Sequence, residues 1–565
     1  MKFKDMPYRR VSFEEAKAKY EELEQRLLDA KTPAEALEVL REQDTFTKEL
    51  GTMFALAYVR NTLDTTDAFY EAEQAYIDET SPRLGEYEQR FLMALLESPH
   101  RPALEKEIGA LYFTNAEIAM RVFSPDVIGE LQEENRLTTE YQKLIASAQI
   151  EYDGKTLTLA QITPYHRDKD RKVRESSMLA RAGWFDAQKG RLDSLFDELV
   201  KLRAKIAEKL GYPSFVELGY DRMTRNCYGA QDVAKFREMI VTHIVPLALR
   251  LKQKQAARIG ADTDTGAGKA FLKLFDDPFV FPDGNPTPIG TPEDIFAHGK
   301  KMYHALSPET AEFIDVMLEN DLFDVLTRPG KAGGGYCITL AAYKLPFIFA
   351  NFNGTADDID VLTHEAGHAF ADYRNRDAFP HALSAPTYEG CEVHSMSMEF
   401  FAWPYMEGFF GDQTEKYRFS HLESALTFLP YGTMVDHFQH IVYENPNLTP
   451  KERNDEWLKL EETYRPWLDN SMPFYGEGRR WQAQGHIYER PFYYIDYCLA
   501  QTVALAFWAL AQKDYAEAWA RYMRYTDLGG SDTFTNLISR AGMPSPFGPD
   551  ALTQVARTAE EWLEK

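Results

Sequence analysis

The most informative stretch of this chain is residues 363–370, which read Thr-His-Glu-Ala-Gly-His-Ala-Phe. They contain the pattern HExxH, which on a helix supplies two metal-binding imidazoles and a general base. At 3.6 residues per turn, His368 lies about 40° and Glu365 about 100° around the helix from His364, so the three side chains share one side. The opposite side is apolar, with Ile359, Leu362, Ala366, Ala369, Phe370 and Tyr373. The sequence therefore predicts a helix that packs with one face and binds zinc with the other.

A third metal ligand is expected after the motif, because a catalytic zinc ion takes three protein ligands and leaves the fourth position to water. Glu392 follows His368 by 24 residues, in a second segment of helical character. We assign Glu392 to the metal, with Glu389 as the competing carboxylate. Glu399 and Ser395 fall on the same helical stripe as Glu392. We assign them to a supporting layer, in which a carboxylate orients a ligating imidazole.

A strand signal precedes the predicted metal helix. Residues 336–351 contain two β-rich runs and predict a small hairpin or an edge strand. Thr355 and Asp358 have the spacing of a capping pair that would start the helix. An edge strand beside a zinc site can pair with an extended peptide through backbone hydrogen bonds. Gly354, in the turn after this strand, and His394, which lies close to the ligands in sequence, are candidates for substrate contacts. A purely structural hairpin is the competing interpretation.

Helix signals dominate the rest of the chain. Ser12 and Thr32 each precede a glutamate by three residues, the spacing of a capping box. Ser-Pro and Thr-Pro pairs punctuate the first third into pieces of helical length, at 81–82, 98–99, 124–125 and 163–164. His437 and His440 are interpreted as part of a packed helix. Gly260 to Gly268 is expected to be a surface loop.

The length and charge of the chain restrict its organisation and its partners. Single cores rarely exceed about 250 to 300 residues, so 565 residues predict two units: an N-terminal helical lobe at 1–180 and a catalytic lobe at 181–565. The 63 basic and 88 acidic residues give a net charge of -25, which disfavours nucleic acid and anionic membranes as partners. The longest apolar run, Thr502 to Ala511, is about half a membrane span, and no secretory signal is visible at the start. We expect a cytoplasmic protein with no membrane partner.

A family resemblance is carried by residues 335–401, which include HEAGH and the ExxSxxxE spacing of residues 392–399. This run resembles the thimet oligopeptidase and oligoendopeptidase F family of zinc metallopeptidases, and within it the compact Bacillus-type Pz-peptidases. The likeness is strong from about residue 203 to residue 501 and weak over the N-terminal third. It implies a mainly α fold with two lobes, a deep substrate channel and a small β-sheet beside the zinc helix. It also implies one Zn²⁺ per chain, bound by two histidines and one glutamate.

The same resemblance implies roles for a C-terminal segment that contains His486. This segment looks like the family's His and Tyr segment, which lies across the cleft from the metal. We accordingly assign His486, Tyr497 and Tyr494 to stabilisation of the oxyanion that develops during hydrolysis, and Tyr493 to substrate binding. The sequence does not choose between Tyr493 and Tyr494. Pro491 is expected to start the helix that carries these tyrosines, and a stripe of core aromatic residues is the competing interpretation.

Motif and resemblance together predict a zinc-dependent endopeptidase that hydrolyses short oligopeptides bound in extended conformation. Glu365 is predicted to act as general base towards a water molecule that zinc activates. The Pz-peptidase likeness adds Gly- and Pro-containing, collagen-derived peptides as candidate substrates. One alternative is a helical HExxH metallocarboxypeptidase, and another, from a different class, is a peptide-binding helical clamp with a structural zinc. The sequence does not define the oligomeric state or the cleavage preference.

Overall fold

The computed structural model of the chain describes residues 1–261 and 270–564. Most of the predicted loop from Gly260 to Gly268 lies outside these residues. The fold is mostly helical, with 70% helix and 5% strand in small sheets. The predicted fold class, mainly α with a small β-sheet, is therefore confirmed.

The N-terminal part of the chain is built almost entirely of helices. In chain order its elements are α1 (Phe13–Asp29), α2 (Pro33–Leu63), α3 (Ala68–Leu96), α4 (Arg101–Ile108), α5 (Ala110–Arg121), α6 (Ile128–Ala146), β1 (Ile150–Tyr152), β2 (Lys155–Leu157) and α7 (Arg171–Lys209). The predicted caps are present, because the side chains of Ser12 and Thr32 accept backbone N–H groups three residues on, each at 3.2 Å. The predicted break at Pro82 is wrong: this buried proline lies inside α3, which packs against α1 and α6. Tertiary packing there outweighs the local cost of a proline.

The boundary expected near residue 180 falls inside α7, which is continuous from Arg171 to Lys209. A long helix can belong to two units, so the helix alone does not exclude the division. The two-lobe division at residue 180 stays a prediction.

The remainder of the chain adds fifteen helices and five short strands to the described fold. They are α8 (Phe215–Arg222), α9 (Ala230–Met239), α10 (Val245–Arg258), β3 (Leu272–Lys273), α11 (Pro292–Leu306), α12 (Pro308–Glu319), β4 (Phe323–Leu326), β5 (Tyr336–Leu340), β6 (Leu345–Phe352), α13 (Asp357–Arg374), α14 (Tyr388–Phe401), α15 (Glu407–Phe410), α16 (Thr414–Glu444), α17 (Pro450–Tyr464), β7 (Leu468–Asp469), α18 (Gly485–Glu489), α19 (Tyr494–Ala511), α20 (Tyr515–Asp527), α21 (Phe534–Arg540) and α22 (Ala551–Leu563).

The sheet that precedes the HExxH helix has three strands in the order β4-β6-β5. β5 and β6 form an antiparallel hairpin, with Tyr336 opposite Phe349 and Leu340 opposite Leu345. β4 pairs with β6 in parallel. The predicted hairpin is therefore confirmed, and β5 is an edge strand with one side of its backbone unpaired within the sheet. β6 leads directly into α13, which fixes the sheet beside the helix.

Helices α13, α14 and α19 pack together behind the sheet that carries β6. α13 packs on β6 and on α14, and α14 packs in turn on α19. The six apolar positions predicted for α13 are all buried, none more than 7% exposed. The apolar face of the helix is thus turned into the core, and its other face is left for chemistry.

Among the described residues, α19 is the one helix long and apolar enough to cross a membrane. It is longer than the apolar run noted in the sequence because the helix begins at Tyr494. However, 78% of its residues are buried inside the fold, where it packs against α14, α16 and α20. Such burial is typical of a core helix.

Candidate metal centre and active site

Three potential metal ligands converge between α13 and α14. Oε2 of Glu392 lies 3.2 Å from Nε2 of His364 and 3.3 Å from Nε2 of His368. One ligand atom from each side chain falls within 4.8 Å of the other two, and within residues 1–261 and 270–564 no other group of three His, Cys, Asp or Glu does so. The structure therefore brings together the three residues that were assigned to the metal from the sequence.

Gly367 explains why the two helices come so close. A β-carbon at this position would lie 2.6 Å from Cα of Ser395 and 2.7 Å from the carbonyl oxygen of His394. Both neighbours are backbone atoms, so any larger residue would push α14 away from α13. The glycine between the two motif histidines thus sets the distance across which Glu392 reaches them.

The competing carboxylate, Glu389, does not join the cluster. It lies one turn before Glu392 on α14, is 1% exposed, and accepts a hydrogen bond of 2.7 Å from the hydroxyl of Thr387. Of the two candidate glutamates, the geometry favours Glu392 as the metal ligand.

The cluster is held by a chain of hydrogen bonds behind His364. Nε1 of Trp403 donates to Nδ1 of His421 at 3.1 Å, so the proton of His421 must be on Nε2. That nitrogen donates to Oε2 of Glu399 at 2.8 Å, and Oε1 of Glu399 accepts from Nδ1 of His364, also at 2.8 Å. Nε2 of His364 is therefore left with a lone pair that faces the cluster.

Glu392 is held from two sides. Its Oε2 accepts a hydrogen bond of 2.9 Å from the hydroxyl of Ser395, and its Oε1 accepts from the hydroxyl of Tyr493. Two imidazoles with their ring nitrogens turned inward and one oriented carboxylate are the donor set of a catalytic zinc site. The residues present therefore fit a zinc ion.

His421 escaped the sequence analysis because nothing in the local sequence of α16 points to the metal helix. We expect His421→Phe to weaken zinc binding about tenfold, the lower end of the range for residues that orient a metal ligand. The effect is at the lower end because His421 contacts Glu399 and not the ligand His364 itself. The measurement is a zinc dissociation constant obtained by competition with a chromophoric chelator. His437→Phe is the matched control, since His437 lies on the same helix but bonds to Tyr464. Equal zinc affinity in the two variants would contradict this role.

Glu365 lies on the cluster side of α13 but is not one of its three converging ligands. The side chain is 6% exposed, and its Oε2 has no hydrogen-bond partner among the described residues. Its Oε1 lies 3.2 Å from where a β-carbon of Gly335 would be, so the start of β5 runs directly past it. Burial raises the pKa of Glu365, and the charges of Glu392 and Glu399 act in the same direction.

His486 and Tyr497 lie beside the cluster, as the resemblance implied. Nε2 of His486 is 3.3 Å from the hydroxyl of Tyr497, and the Tyr497 ring lies 6.4 Å from that of His364. Nδ1 of His486 lies 3.0 Å from the side-chain amide of Gln484. Burial lowers the pKa of His486 to about 4, so its imidazole is neutral at pH 7.

Of the two adjacent tyrosines, Tyr493 is the one that reaches the cluster, because its hydroxyl donates to Glu392. The structure does not bring Tyr494 there. Its ring packs against those of His486 and Tyr497, with ring centres 5.1 and 5.4 Å away, and no hydrogen bond connects its hydroxyl to a described residue. Successive residues on a helix point about 100° apart, so only one of the two can face the metal.

The local backbone explains this choice. The helix does not start at Pro491 as expected: α19 begins at Tyr494. Phe492 precedes it with a φ of 69°, and its N–H donates to Oε1 of Gln439 at 2.8 Å. A left-handed residue with a bulky side chain is strained, and here it redirects the chain just before the tyrosines.

Two further candidates from the sequence lie elsewhere. His394 is 1% exposed and packs against Tyr525, with ring centres 4.9 Å apart, so its side chain is not where a substrate could touch it. Gly354 has a φ of 87°, and its N–H donates to the carboxylate of Asp358 at 2.8 Å. The structure gives Gly354 the role of a turn residue.

The predicted capping pair at the start of α13 is half correct. The Asp358 carboxylate accepts the backbone N–H groups of Asn353 and Gly354. The hydroxyl of Thr355, however, donates to the side chain of Asn353 at 2.8 Å. Of the two side chains of the predicted pair, it is therefore that of Asp358 that ties the preceding loop to the helix.

His440, on α16, offers a test of the electrostatics of the core. It is 4% exposed, its Nε2 lies 3.1 Å from the hydroxyl of Tyr220, and burial lowers its pKa to about 4. Because an unfolded histidine titrates near 6.5, the unfolded chain takes up this proton first as the pH falls. Stability that depends on neutral His440 is therefore complete above about pH 6.5 and is lost towards pH 4.

We accordingly expect the difference in unfolding free energy between the wild type and His440→Gln to shrink by about 1.4 kcal/mol per pH unit below pH 6.5. Urea unfolding of both proteins at pH 7.5 and pH 5.5 measures it. A difference that does not vary with pH would show that folding does not lower the pKa of His440.

Comparisons with known proteins give family and fold matches over most of the chain. Residues 3–123 match the peptidase M3 N-terminal domain, and residues 303–555 match peptidase family M3. A structure named Pz peptidase A, determined with an inhibitor, is 45% identical with a TM-score of 0.97, and the alignment covers 100% of this chain and 99% of that one. A structure named oligoendopeptidase F gives 45% identity, a TM-score of 0.98 and the same coverage.

A more distant relative is oligopeptidase PepF of Bacillus subtilis (strain 168). It is 25% identical over 275 residues. The alignment takes in 47% of this chain and 40% of the relative, so this chain spans less than half of that protein.

Proposed function

The chain belongs to peptidase family M3, a family of metallopeptidases, and from that premise we propose that it is a zinc-dependent endopeptidase acting on short oligopeptides. The observation that carries the proposal is the convergence of two imidazoles and a buried carboxylate next to a second buried carboxylate, Glu365. A structural zinc site needs no such base, whereas a hydrolytic site does.

In this proposal His364, His368 and Glu392 hold the zinc ion. Zinc bound there would polarise a water molecule and the scissile carbonyl group. Glu365 takes a proton from the attacking water and delivers it to the nitrogen of the leaving amine. Its burial supports this role, because a raised pKa brings a carboxylate closer to the range in which it can both accept and donate a proton.

His486 and Tyr497 are proposed to donate hydrogen bonds to the carbonyl oxygen as negative charge develops on it. Gln484 supports this role for His486: if its amide N–H donates to Nδ1, the ring proton lies on Nε2, next to Tyr497. Oε1 of Gln484 in turn accepts from the hydroxyl of Tyr431 at 2.9 Å. Tyr493 is proposed to act differently from the sequence assignment, by orienting Glu392 instead of binding substrate.

The edge strand β5 is proposed to bind the peptide in extended conformation through backbone hydrogen bonds. Its residues Ile338 and Thr339 line a cavity of about 690 Å³, whose other walls come largely from α2, α3 and α5. Just before β5, a β-carbon on Gly335 would lie 3.2 Å from Oε1 of Glu365, so a peptide on β5 would lead towards the proposed base. The limited volume of this cavity supports a preference for short peptides over folded proteins.

Three finer parts of the proposal concern the candidate substrates, the location and partners of the protein, and the number of zinc ions. The likeness to a structure named Pz peptidase A extends the candidate substrates to Gly- and Pro-containing, collagen-derived peptides. The absence of nucleic-acid and anionic-membrane partners is proposed from the net charge of -25, and the cytoplasmic location stays a prediction of the sequence. One zinc ion per chain is proposed because one cluster of three ligands is found among the described residues.

The test combines elemental analysis of the purified protein with mass spectrometry of products from an internally quenched peptide blocked at both ends. We expect about one zinc per chain and internal cleavage that a chelator abolishes and added zinc restores. Cleavage only of peptides with a free C-terminus, one residue at a time, would favour the carboxypeptidase alternative. Bound zinc with no chelator-sensitive cleavage would favour the structural clamp.

A further inference from the structure

The cavity beside β5 is lined by a cationic side chain that the proposed mechanism does not use. Arg490 contributes to this cavity together with Ile338 and Thr339 of the edge strand. The hydrogen bonds and ion pairs of the described residues give its guanidinium one partner, the hydroxyl of Tyr388 at 3.4 Å. The other cation on the cavity wall, Lys48, is neutralised by Asp44 at 2.9 Å.

No carboxylate among the described residues forms an ion pair with Arg490, although acidic residues outnumber basic ones by 88 to 63 in this chain. The neighbouring carboxylate, Glu489, accepts a hydrogen bond of 2.6 Å from Gln142 and forms no ion pair with Arg490. The planar guanidinium, which binds carboxylates through two parallel hydrogen bonds, is therefore still free to do so on the cavity side.

Arg490 is also held at a fixed distance from the proposed oxyanion donor. It follows His486 by four residues, and its backbone N–H donates to the carbonyl oxygen of His486 at 2.9 Å. Side chains four residues apart on a helix start about 6 Å from each other, and an extended peptide advances about 3.3 Å per residue. The length of the arginine side chain adds to the distance between the two side chains. A carboxylate of the peptide that binds Arg490 would therefore lie about two to four residues from the scissile bond.

We propose that Arg490 forms a subsite for a carboxylate of the peptide substrate, which is either its C-terminal carboxylate or an acidic side chain. This inference rests on the proposed peptidase function and narrows its substrates to peptides with an anionic group near the cleaved bond. It also gives the enzyme a means of choosing where to cut, since pairing along β5 reads the backbone and not the side chains.

The test measures binding without turnover, in the zinc-loaded Glu365→Gln variant. Fluorescent hexapeptides are compared as free acids and as C-terminal amides. We expect the acid to bind about tenfold or more tightly than the amide, the size of a charge-assisted hydrogen bond. Adding Arg490→Gln should remove this difference and leave the affinity for the amide unchanged, while Arg490→Lys should keep part of it.

A second pair of amidated peptides, with Glu or Gln at each position in turn, separates the two sources of the carboxylate. A preference for Glu that depends on Arg490, with no acid-over-amide preference, assigns the subsite to a side chain. Lys48→Gln is the matched control and should leave both ratios unchanged. The proposal is overturned if Arg490→Gln changes neither ratio, or if Lys48→Gln changes them by the same factor. Because no cleavage is needed, failure of the hydrolysis assay and failure of this subsite are separate results.

Discussion

Glu365→Gln is expected to lower kcat for peptide hydrolysis by about 10²- to 10⁴-fold, the contribution of a well-placed general base. Zinc content should stay at the wild-type level, because the Glu365 carboxylate is not among the three converging ligand atoms. Glutamine keeps the shape of the side chain, but its amide cannot accept the proton of the attacking water. The measurements are kcat on a quenched peptide and zinc per chain by elemental analysis.

The surroundings of Glu365 explain why the loss should be so large. One carboxylate oxygen is buried without a partner among the described residues, and the other faces the start of β5 at Gly335. Glu365→Asp serves as the control, because it keeps the charge but withdraws it by one carbon-carbon bond, and we expect a smaller loss of activity. Near-normal hydrolysis by Glu365→Gln would refute the mechanism.

The metal cluster could be predicted from the sequence because its determinants are mostly local. The 3.6-residue period fixes which residues of HExxH share a face, and the six apolar residues on the other face are all buried. Glu392 lies on a different helix, yet its spacing from His368 and the family resemblance were enough to favour it over Glu389. Gly367 allows α13 and α14 to pack closely, and this packing brings Glu392 within reach of the two histidines.

The residues that the sequence did not reveal depend on contacts between distant segments. His421 is linked to His364 through Glu399, and its place follows from the packing of α16 against the core. The choice between Tyr493 and Tyr494 depends on the left-handed backbone of Phe492, which no local propensity predicts for a phenylalanine. His394 was misassigned because nearness in sequence to a ligand does not determine which face of a helix is buried.

The second large effect is expected for Glu392→Gln, which should weaken zinc binding by more than the roughly 100-fold typical of losing a residue that only orients a ligand. The substitution removes the one negative charge among the three ligands. It also replaces an oxygen that now lies 3.2 and 3.3 Å from the two imidazole nitrogens. Hydrolysis should fall to background at ordinary zinc concentrations and recover in part when zinc is raised. A chelator competition titration measures the first effect, and activity against zinc concentration measures the second.

Glu389→Gln is the control that makes this result specific. It is the same substitution one turn earlier on α14, at a residue that is just as buried, but the Glu389 carboxylate accepts from Thr387 and not from the cluster. Any loss of zinc caused by disturbing the helix should appear in both variants, whereas loss of a ligand should appear only at Glu392. Wild-type zinc affinity in Glu392→Gln, or equal losses in the two variants, would remove Glu392 from the metal and leave the two histidines of α13 without their third ligand.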